Sequence, residues 1–179
     1  MIFEKLKLDG AYLIKLEPRE DQRGFFSRVF CENEFKENNL VHNWVQINNS
    51  HNKDKGTLRG MHMQRGPHEE VKLVRCIKGE IFDVIVDLRN ESKTFGKWDG
   101  KKLSAENREM MYVPSGFAHG FISLTDNTEI MYFSSNFYNS SSECSLHYGD
   151  KTVNINWPTE IVHVSKKDKN ASNINSFKK

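Results

Sequence analysis

Apolar and polar residues alternate along many short stretches of the chain, and Gly, Asn, Asp or Pro separates the stretches. A period of two is typical of β-strands that bury one face. The pattern predicts strands at Tyr12–Glu17, Phe25–Cys31, Val45–Asn49, Leu58–Met63, Lys72–Lys78, Glu80–Leu88, Met111–Pro114, Gly120–Leu124 and Ile130–Ser134. Lys78–Glu80 has the composition of a tight turn, so we expect a hairpin between the strands on either side of it.

Helical periodicity is scarce, and it is confined to Glu32–Asn38 and to a short stretch that opens at Ser165–Asp168. Many short strands at regular spacing favour an all-β sandwich or barrel of the jelly-roll type with a few short helices. No internal repeat or linker divides the sequence. We therefore expect one domain over residues 1–168, followed by a polar, frayed tail over residues 169–179.

Composition limits the classes of protein that the chain can belong to. Its 179 residues are 37% apolar and 28% charged, and 26 Lys and Arg are interspersed with 24 Asp and Glu. Nucleic-acid binding is disfavoured because no basic stripe is present, and no apolar run reaches the length of a membrane span. Three widely spaced cysteines indicate buried thiols in a reducing compartment. We expect a soluble, cytoplasmic protein with no nucleic-acid or membrane partner.

Three segments carry residues that are able to do chemistry: Gly56–Gln64, Val113–Phe121 and Glu129–Tyr138. In the first of them, strict strand alternation places Arg59 and His62 on opposite faces. Taken singly, a histidine or tyrosine on a barrel strand is more often a hydrogen-bonded core residue than a catalytic one.

The combination of residues changes that balance. His62, Lys72, His119 and Tyr132 all fall on or beside predicted strands of one barrel, and the interior of a small barrel is a single cavity. A base, a cation and a phenol would then face the same space. The sequence therefore predicts a polar site inside the barrel.

A metal site is the main rival interpretation. Small barrels of the cupin type bind a divalent ion through an HxH motif, a glutamate and a later histidine. Pro114, Gly116 and His119 match the second half of that pattern, but Gln64 stands where the first half needs a histidine. Two histidines without a positioned carboxylate make a poor site for iron, manganese or zinc. We expect no metal and no cofactor.

Ordered sequence blocks give the chain a resemblance to the dTDP-4-dehydrorhamnose 3,5-epimerase family, metal-free cupin-like enzymes of deoxysugar synthesis. The resemblance runs from about Phe3 to Asp168, and Lys72 follows His62 at the family spacing of ten positions. The blocks are Asp21–Phe26, Gln46–Ser50, Gly56–His62, Lys72–Arg89, Ser92–Trp98, Val113–Phe121, Tyr132, Tyr138, Glu143, Ile155–Pro158 and Ser165–Asp168.

The resemblance implies a role for each residue of the predicted site. His62 would remove a proton from the carbon next to the sugar ketone, with Asp168 as its partner. Tyr132 would deliver a proton from the opposite face. Lys72 and His119 would lie along the sugar and its enolate oxygen. These roles suit the chemistry, because imidazole is a base near neutral pH and a cation stabilises an enolate without a metal.

The family's binding residues also have counterparts in this chain. The substrate implied is a nucleotide-diphosphate 4-keto sugar. A homodimer is implied as well, in which an N-terminal segment near Arg23–Arg28 crosses over to complete the partner's nucleotide site. The residues that would hold the substrate are Arg23, Phe26, Arg28, Gln46, Asn48, Arg59, Tyr138, Glu143 and Lys167, with Tyr138 stacked on the base.

The chain departs from the family pattern at three places. Arg28 replaces a glutamate of the RGFFxE stretch, Tyr148–Lys151 replaces a Trp-Asn-Asp-Pro segment, and Arg65–Val71 replaces a loop with proline and glutamine. A guanidinium matches the O6 and N7 acceptors of guanine, so Arg28 predicts GDP, with a GDP-linked 4-keto-6-deoxy heptose of bacterial capsule or lipopolysaccharide synthesis as a candidate substrate. The alternative is that Arg28 forms an ion pair with a phosphate or a surface carboxylate.

Two other functions remain open at this point. A ketoisomerase would move the carbonyl of the same kind of substrate between neighbouring carbons, and a nucleotide-sugar-binding module would perform no chemistry. Retention of Tyr132 together with His62 and Asp168 favours an epimerase. Such an epimerase would invert C3, C5 or both carbons of the sugar.

Overall fold

The computed structural model describes residues 1–178 and confirms the all-β class. Two short α-helices, α1 (Glu32–Glu37) and α2 (Lys166–Lys169), and 3₁₀ turns at Gly66–His68 and Ile174–Phe177 accompany the strands. The strands are β1 (Ile2–Lys5), β2 (Tyr12–Lys15), β3 (Arg19–Asp21), β4 (Gly24–Phe26), β5 (Gln46–Asn52), β6 (Thr57–Gln64), β7 (Lys72–Lys78), β8 (Glu80–Asp87), β9 (Trp98–Ser104), β10 (Glu109–Val113), β11 (Phe117–Ser123), β12 (Thr128–Ser134), β13 (Glu143–Ser145) and β14 (His163–Val164).

The strands form two large sheets, which we call the first and the second sheet. The first sheet has the order β1-β2-β10-β7-β12-β5, and the second has the order β13-β6-β11-β8-β9. Neighbours in both sheets are antiparallel, while β14 adds to β6 in parallel. Strands β3 and β4 form a separate hairpin. The arrangement is the jelly roll that the strand spacing predicted, in the cupin-like form that the family resemblance implied.

A buried apolar core joins the inner faces of the two sheets. Val74 and Ile130 come from the first sheet, and Ile85 and Phe121 come from the second. Each such side chain contributes roughly 1.5–3 kcal/mol when it is fully buried. A second cluster, which includes Phe35 of α1, covers the outer face of the first sheet. The inner core fills one part of the barrel and leaves another part open for a polar site.

The C-terminal residues cover the outer face of the second sheet. Ile174 and Phe177 are buried in a cluster with Met61. The Ile174 N–H donates to Asp150 Oδ2 at 2.8 Å, and the Arg65 guanidinium lies 4.4 Å from the centre of the Phe177 ring. The expectation of a frayed tail is therefore wrong for residues 169–178. Two apolar side chains among polar ones are enough to fix this segment to the domain.

The predicted hairpin around Lys78–Glu80 is also wrong. Lys72–Lys78 and Glu80–Asp87 are strands, as expected, but β7 pairs with β10 and β12 whereas β8 pairs with β9 and β11. The turn carries the chain from one sheet to the other. Gly79 has φ +72°, and a Cβ there would lie 2.7 Å from Thr128 Cγ2, so only glycine fits this crossing.

Other differences lie at the edges of the fold. The predicted strand Phe25–Cys31 is reduced to Gly24–Phe26, which pairs with Arg19–Asp21 in a hairpin whose six paired residues are all exposed. Strands Ile2–Lys5 and Trp98–Ser104 were not predicted from the pattern. Both lie at sheet edges, where neighbours on one side are missing and the hydrophobic alternation is weak.

The longest described helix, α1, has six residues, so no helix in residues 1–178 could cross a membrane. Cys31, Cys76 and Cys144 are free thiols.

Candidate active site

Two adjoining cavities, of about 570 and 340 Å³, open beside the apolar core and share His62, Lys72 and Tyr132. Eight further residues of the predicted site line one or the other of them. The larger cavity adds Arg59, His119, Lys167 and Asp168, and the smaller one adds Gln46, Asn48, Tyr138 and Glu143. The structure therefore brings together most of the residues that the sequence predicted.

The side chains of this site come from opposite walls. His62 on β6 and His119 on β11 are cross-strand neighbours in the second sheet. Tyr132 on β12 and Lys72 on β7 belong to the first sheet. We call these two groups the histidine wall and the tyrosine wall. A ligand between them would have a base on one side and a phenol on the other.

His62 is paired with Asp168, as predicted. His62 Nε2 lies 2.6 Å from Asp168 Oδ1, and the carboxylate is almost fully buried. Burial acts to raise the pKa of Asp168, but hydrogen bonds from His62 and from the Gly60 N–H outweigh it and lower that pKa below its ordinary value. Because Nε2 donates to an ionised carboxylate, Nδ1 of a neutral His62 keeps the lone pair of a base.

The position of Asp168 is set by the start of α2. Ser165 caps this helix, and its Oγ accepts a hydrogen bond from the Asp168 N–H at 3.1 Å. The cap fixes the backbone from which the carboxylate reaches His62 across 106 positions of sequence. The Ser-Lys-Lys-Asp stretch at the chain end is thus one of the elements that build the site.

His119 has a carboxylate partner that the sequence reasoning did not assign. His119 Nε2 lies 2.8 Å from Asp83 Oδ1, and both side chains are buried. Asp83 lies between Ile81 and Ile85 on the inner face of β8, and Asp87 ends the same face. A carboxylate between apolar residues on the core face of a strand was the signal that could have identified it, since such a group needs a buried partner.

Tyr132 is the acid candidate on the tyrosine wall. Burial raises the pKa of its phenol, and the negative charge of Glu70 raises it further. A phenol with a raised pKa stays protonated through the neutral range and therefore has a proton to give.

Lys72 is held by a second residue that the sequence reasoning left outside the site. Its Nζ lies 3.0 Å from Glu70 Oε1, and both side chains are 12% exposed. The other carboxylate oxygen of Glu70 accepts a hydrogen bond from Ser134 Oγ at 2.5 Å.

Arg59 reaches the same cavity as His62, which strict alternation along β6 did not predict. Phe121 pairs with Arg59 and His119 pairs with His62, so β6 has one residue more than β11 between these pairs. Such a β-bulge turns both side chains to one side. Arg59 Nε donates to Asn52 Oδ1 at 2.7 Å, and a backbone carbonyl accepts from Nη2. These neutral partners leave its charge available to an anion.

The smaller cavity has a polar rim built around Glu143. Tyr138 Oη donates to Glu143 Oε2 at 3.0 Å, Lys167 forms an ion pair with the same carboxylate, and Gln46 Oε1 accepts from the Tyr138 N–H at 2.7 Å. Burial acts to raise the pKa of Glu143, but Lys167 and Tyr138 outweigh it and lower that pKa. The exposed ring of Tyr138 is placed where a flat ligand group could stack on it.

Comparison with known proteins identifies this arrangement. The family model for dTDP-4-dehydrorhamnose 3,5-epimerase matches residues 5–176. The chain belongs to the dTDP-4-dehydrorhamnose 3,5-epimerase family. The enzyme of that name from Shigella flexneri is 46% identical over 169 residues, covering 92% of this chain and 92% of the relative.

Solved structures in the same family agree. The crystal structure of dTDP-4-dehydrorhamnose 3,5-epimerase from Elizabethkingia anophelis superposes with a TM-score of 0.95 at 41% identity, covering 98% of this chain and 97% of that one. The dTDP-6-deoxy-D-glucose-3,5-epimerase of Legionella pneumophila, solved with dTDP-4-keto-L-rhamnose, has a TM-score of 0.92 at 38% identity, with 97% and 93% covered. This chain is an isomerase of nucleotide-sugar metabolism.

Three residues of the predicted set lie away from the two cavities. Phe26 and Arg28 line a separate cavity beside the N-terminal ammonium of Met1, and Arg28 Nη1 lies 3.2 Å from Glu34 Oε1. Arg23 forms a bidentate contact within its own hairpin. The family resemblance assigned this segment to the site of a partner subunit, and that assignment stays a prediction.

The side chains that the structure describes are poorly arranged for binding a metal ion. Across residues 1–178, no three side chains of His, Cys, Asp or Glu converge in a way that could hold a metal ion. His62 and His119 each use one ring nitrogen in a hydrogen bond with a carboxylate.

Proposed function

We propose that this protein inverts C3, C5 or both carbons of a nucleotide-diphosphate-linked 4-keto-6-deoxy sugar, with His62 as base and Tyr132 as acid. The observation that carries the proposal is the placement of these two side chains on opposite walls of one cavity. Inversion at carbon requires that the proton leaves from one face and returns to the other. Two groups on facing walls meet that requirement.

The first step is removal of the proton next to the ketone. Nδ1 of neutral His62 takes this proton, and the electron pair of the broken C–H bond moves into the enolate. The buried carboxylate of Asp168 stabilises the imidazolium that forms, because it is 2.6 Å from Nε2 and its pKa is lowered. General-base catalysis of this kind contributes roughly 10²–10⁴-fold to a rate.

The enolate oxygen needs a positive or hydrogen-bonding partner in a space that excludes water. Lys72 lines both cavities together with His62 and Tyr132, and His119 lines the larger cavity from the histidine wall. A fixed cation supplies this stabilisation without a metal. Tyr132 then gives its proton to the carbon from the other face, and the enolate electrons form the new C–H bond as the ketone is restored. His62 loses its proton to solvent, and solvent reprotonates the phenolate.

The diphosphate of the substrate would bind at the edge of the larger cavity. Arg59 presents a guanidinium there whose contacts are with neutral groups, and guanidinium pairs with phosphate oxygens through two parallel hydrogen bonds. Tyr138, above the smaller cavity, would stack on the nucleotide base. In this arrangement the nucleotide base lies at the exposed end of the site and the sugar lies at its buried end.

For the nucleotide, the names of the relatives and the contact of Arg28 favour dTDP. The relatives are named for dTDP sugars, and Arg28 is already engaged by Glu34, which is the surface-carboxylate alternative raised from the sequence. GDP, and with it a GDP-linked heptose of capsule or lipopolysaccharide synthesis, stays a prediction that rests on the remaining donors of Arg28. Titration of dTDP and GDP, with Arg28→Glu alongside, decides between them, and tighter binding of GDP by the unaltered protein would reject dTDP.

The reaction itself is tested by proton NMR of products formed in deuterated water from a panel of nucleotide-linked 4-keto sugars. Deuterium at C3 or C5 with inverted configuration supports the epimerase. A carbonyl that has moved to a neighbouring carbon would indicate the ketoisomerase. Binding without any exchange would leave a nucleotide-sugar-binding module.

We also propose a homodimer in which the β3–β4 hairpin completes the nucleotide site of the partner subunit. All six paired residues of the hairpin are exposed on this chain, and Phe26 at its end is 70% exposed. A two-stranded hairpin is marginally stable without further packing, and an exposed aromatic at its end is better explained by a covering surface.

Mixed dimers test this arrangement sharply. His62→Ala removes the base, and Arg23→Ala removes a hairpin contact, so each variant alone should be poorly active. In an equal mixture after subunit exchange, half of the dimers are hybrids, and one site of each hybrid combines an intact base with an intact hairpin. Activity should return to about a quarter of the wild-type value. No recovery in verified hybrids, or full activity of a monomer by light scattering, would contradict the exchange.

A further inference from the structure

Glu70 is a carboxylate inside the site for which the proposed mechanism has no step. It lines the smaller cavity together with His62, Lys72 and Tyr132. Its two oxygens are both engaged: Oε1 with Lys72 Nζ at 3.0 Å, and Oε2 with Ser134 Oγ at 2.5 Å. Among the residues that the structure describes, Lys72 and Ser134 are the hydrogen-bonding and ion-pair partners of the Glu70 carboxylate.

We propose that Glu70 is a positioning residue that fixes the ammonium of Lys72 on the tyrosine wall, where it can meet the enolate oxygen of the bound sugar. The inference rests on the proposed function for its consequence in catalysis. The restraint on Lys72 is a property of the chain alone and can be measured separately.

Burial makes this ion pair different from the surface pairs of the molecule. The Glu70 and Lys72 side chains are each 12% exposed, whereas Lys36 and Glu32 on α1 are 50% and 57% exposed. An exposed pair is screened by solvent and contributes little to stability, but a mostly buried pair with a further hydrogen bond holds a defined geometry. Glu70 is therefore able to hold Lys72 in place.

The backbone around Glu70 is itself anchored to Ser135, the residue that follows β12. The next residue, Val71, donates its N–H to Ser135 Oγ at 2.8 Å and accepts from the Ser135 N–H at 3.0 Å. Ser134, which donates to the carboxylate, is the cross-strand neighbour of Lys72. The carboxylate thus rests on the strand that also carries Tyr132, so its position relative to the acid is fixed.

Lysine needs such a support to act at one point. Its four-carbon stem has many rotamers, and its charge is spherical and accepts partners from several directions. Glu143 lines the same small cavity and would offer another carboxylate to a released ammonium. A displacement of about 1 Å at a catalytic group can cost roughly 10²-fold in rate. Glu70 prevents such a displacement by holding Lys72 at one site.

The kinetic test compares two glutamates that are neighbours in sequence. Glu70→Gln removes the buried charge, and Glu69→Gln makes the same change on an exposed side chain. We expect kcat for deuterium incorporation to fall by about 10-fold in Glu70→Gln with KM changed less than about threefold, and no change in Glu69→Gln. Equal behaviour of the two variants would overturn the proposal.

A double-mutant cycle shows whether Glu70 acts through Lys72. Lys72→Met alone should lower kcat by about 10²-fold, and adding Glu70→Gln should lower it no further, because there is no ammonium left to position. Losses that multiply in the double variant would mean that Glu70 has an independent effect, and they would refute positioning. The double variant also removes the buried unpaired charge that Lys72→Met leaves, which keeps folding comparable.

A readout without substrate separates this inference from the proposed function. In protein labelled with ¹³C at lysine Cε, the signal of Lys72, assigned by its loss in Lys72→Met, should have a high order parameter in wild type and in Glu69→Gln and a low one in Glu70→Gln. Unchanged order in Glu70→Gln would overturn the proposal. If wild type shows this restraint but exchanges no deuterium with any sugar, the restraint by Glu70 is supported and the proposed function fails.

Discussion

The two walls of the cavity hold different chemistry. On the histidine wall each imidazole has its own buried carboxylate, His62 with Asp168 and His119 with Asp83. On the tyrosine wall a buried phenol stands beside an ammonium that is itself paired with Glu70. One wall is built to accept a proton and stabilise the cation that results, and the other holds a proton and a fixed positive charge.

This difference explains what the site can do that a symmetric one could not. If bases lay on one wall only, a proton removed from a sugar carbon would return to the face that it left. With an acid on the facing wall, return to the other face becomes possible, and the carbon inverts. Changes confined to one wall should therefore have distinct effects, which the predictions below use.

The largest effect is expected from the histidine wall. His62→Ala should lower the rate of deuterium incorporation at the sugar carbons by about 10³-fold or more, because it removes the proposed base and the other imidazole on this wall, His119, is more deeply buried. The rate is measured by proton NMR in deuterated water. His147→Ala, on a separate surface cavity, serves as the matched control and should be fully active. Deuterium exchange that persists undiminished in His62→Ala would show that His62 is not the base.

A smaller loss is expected from the residue behind the base. Asp168→Asn keeps the size of the side chain but removes the charge that stabilises the imidazolium, so kcat should fall by roughly 10²-fold. The variant should still bind the nucleotide diphosphate, since Asp168 faces His62 and not the diphosphate edge at Arg59. Calorimetric titration with dTDP checks that point. Loss of binding equal to the loss of kcat would show that Asp168 supports the cavity as a whole.

The sequence predicted the strands of the two sheets unequally, for physical reasons. Strand Lys72–Lys78 was predicted with the correct bounds because a lysine stands at each end of its largely apolar centre and both of its neighbours are strands. Trp98–Ser104 was not predicted, since it lies at an edge and carries Gly100, Lys101 and Lys102 in its centre. The local hydrophobic pattern of a sequence indicates which face of a strand is buried. This signal is weakest at the edge of a sheet, where a strand has only one neighbour.

The site was predictable to the extent that each residue signals its own chemistry. His62 and Tyr132 stood out through their residue types and the family resemblance, and Asp168 through the resemblance alone. Glu70 and Asp83 did not, because their roles depend on a partner in another strand or loop. The position of Arg59 depends on a bulge in β6, and strict alternation along a single strand does not predict where an extra residue is inserted.

The stability of the fold should depend on pH partly through Asp168. The pKa of this carboxyl is lowered in the folded state, so it stabilises the fold above the ordinary carboxyl range near pH 4 and loses that contribution as the pH falls further. Between pH 5 and pH 3, the free energy of unfolding should therefore fall more steeply in wild type than in Asp168→Asn. Denaturant titrations at both pH values measure it, with the exposed Asp9→Asn as control. Equal slopes in wild type and Asp168→Asn would contradict the paired state of Asp168.

The smallest effect is expected from chelation. Both walls supply their charges from side chains, so exhaustive treatment with a chelator should leave the rate within about a factor of two of its starting value. The rate is followed with the same deuterium assay before and after treatment. A loss that added zinc, iron or manganese restores would mean that the histidine wall holds a metal in solution, and it would replace the account of His62 as a free base.

The most direct test of the two-wall account is the configuration of the product formed by Tyr132→Phe in deuterated water. This variant keeps the base and loses the acid, so we predict that deuterium still enters at the carbon next to the ketone while inversion falls by at least about 10²-fold, leaving labelled sugar of unchanged configuration. Proton NMR reports label and configuration in one spectrum. Equal loss of labelling and inversion, or inversion at the wild-type rate, would contradict the assignment of proton donation to Tyr132 on the wall opposite His62.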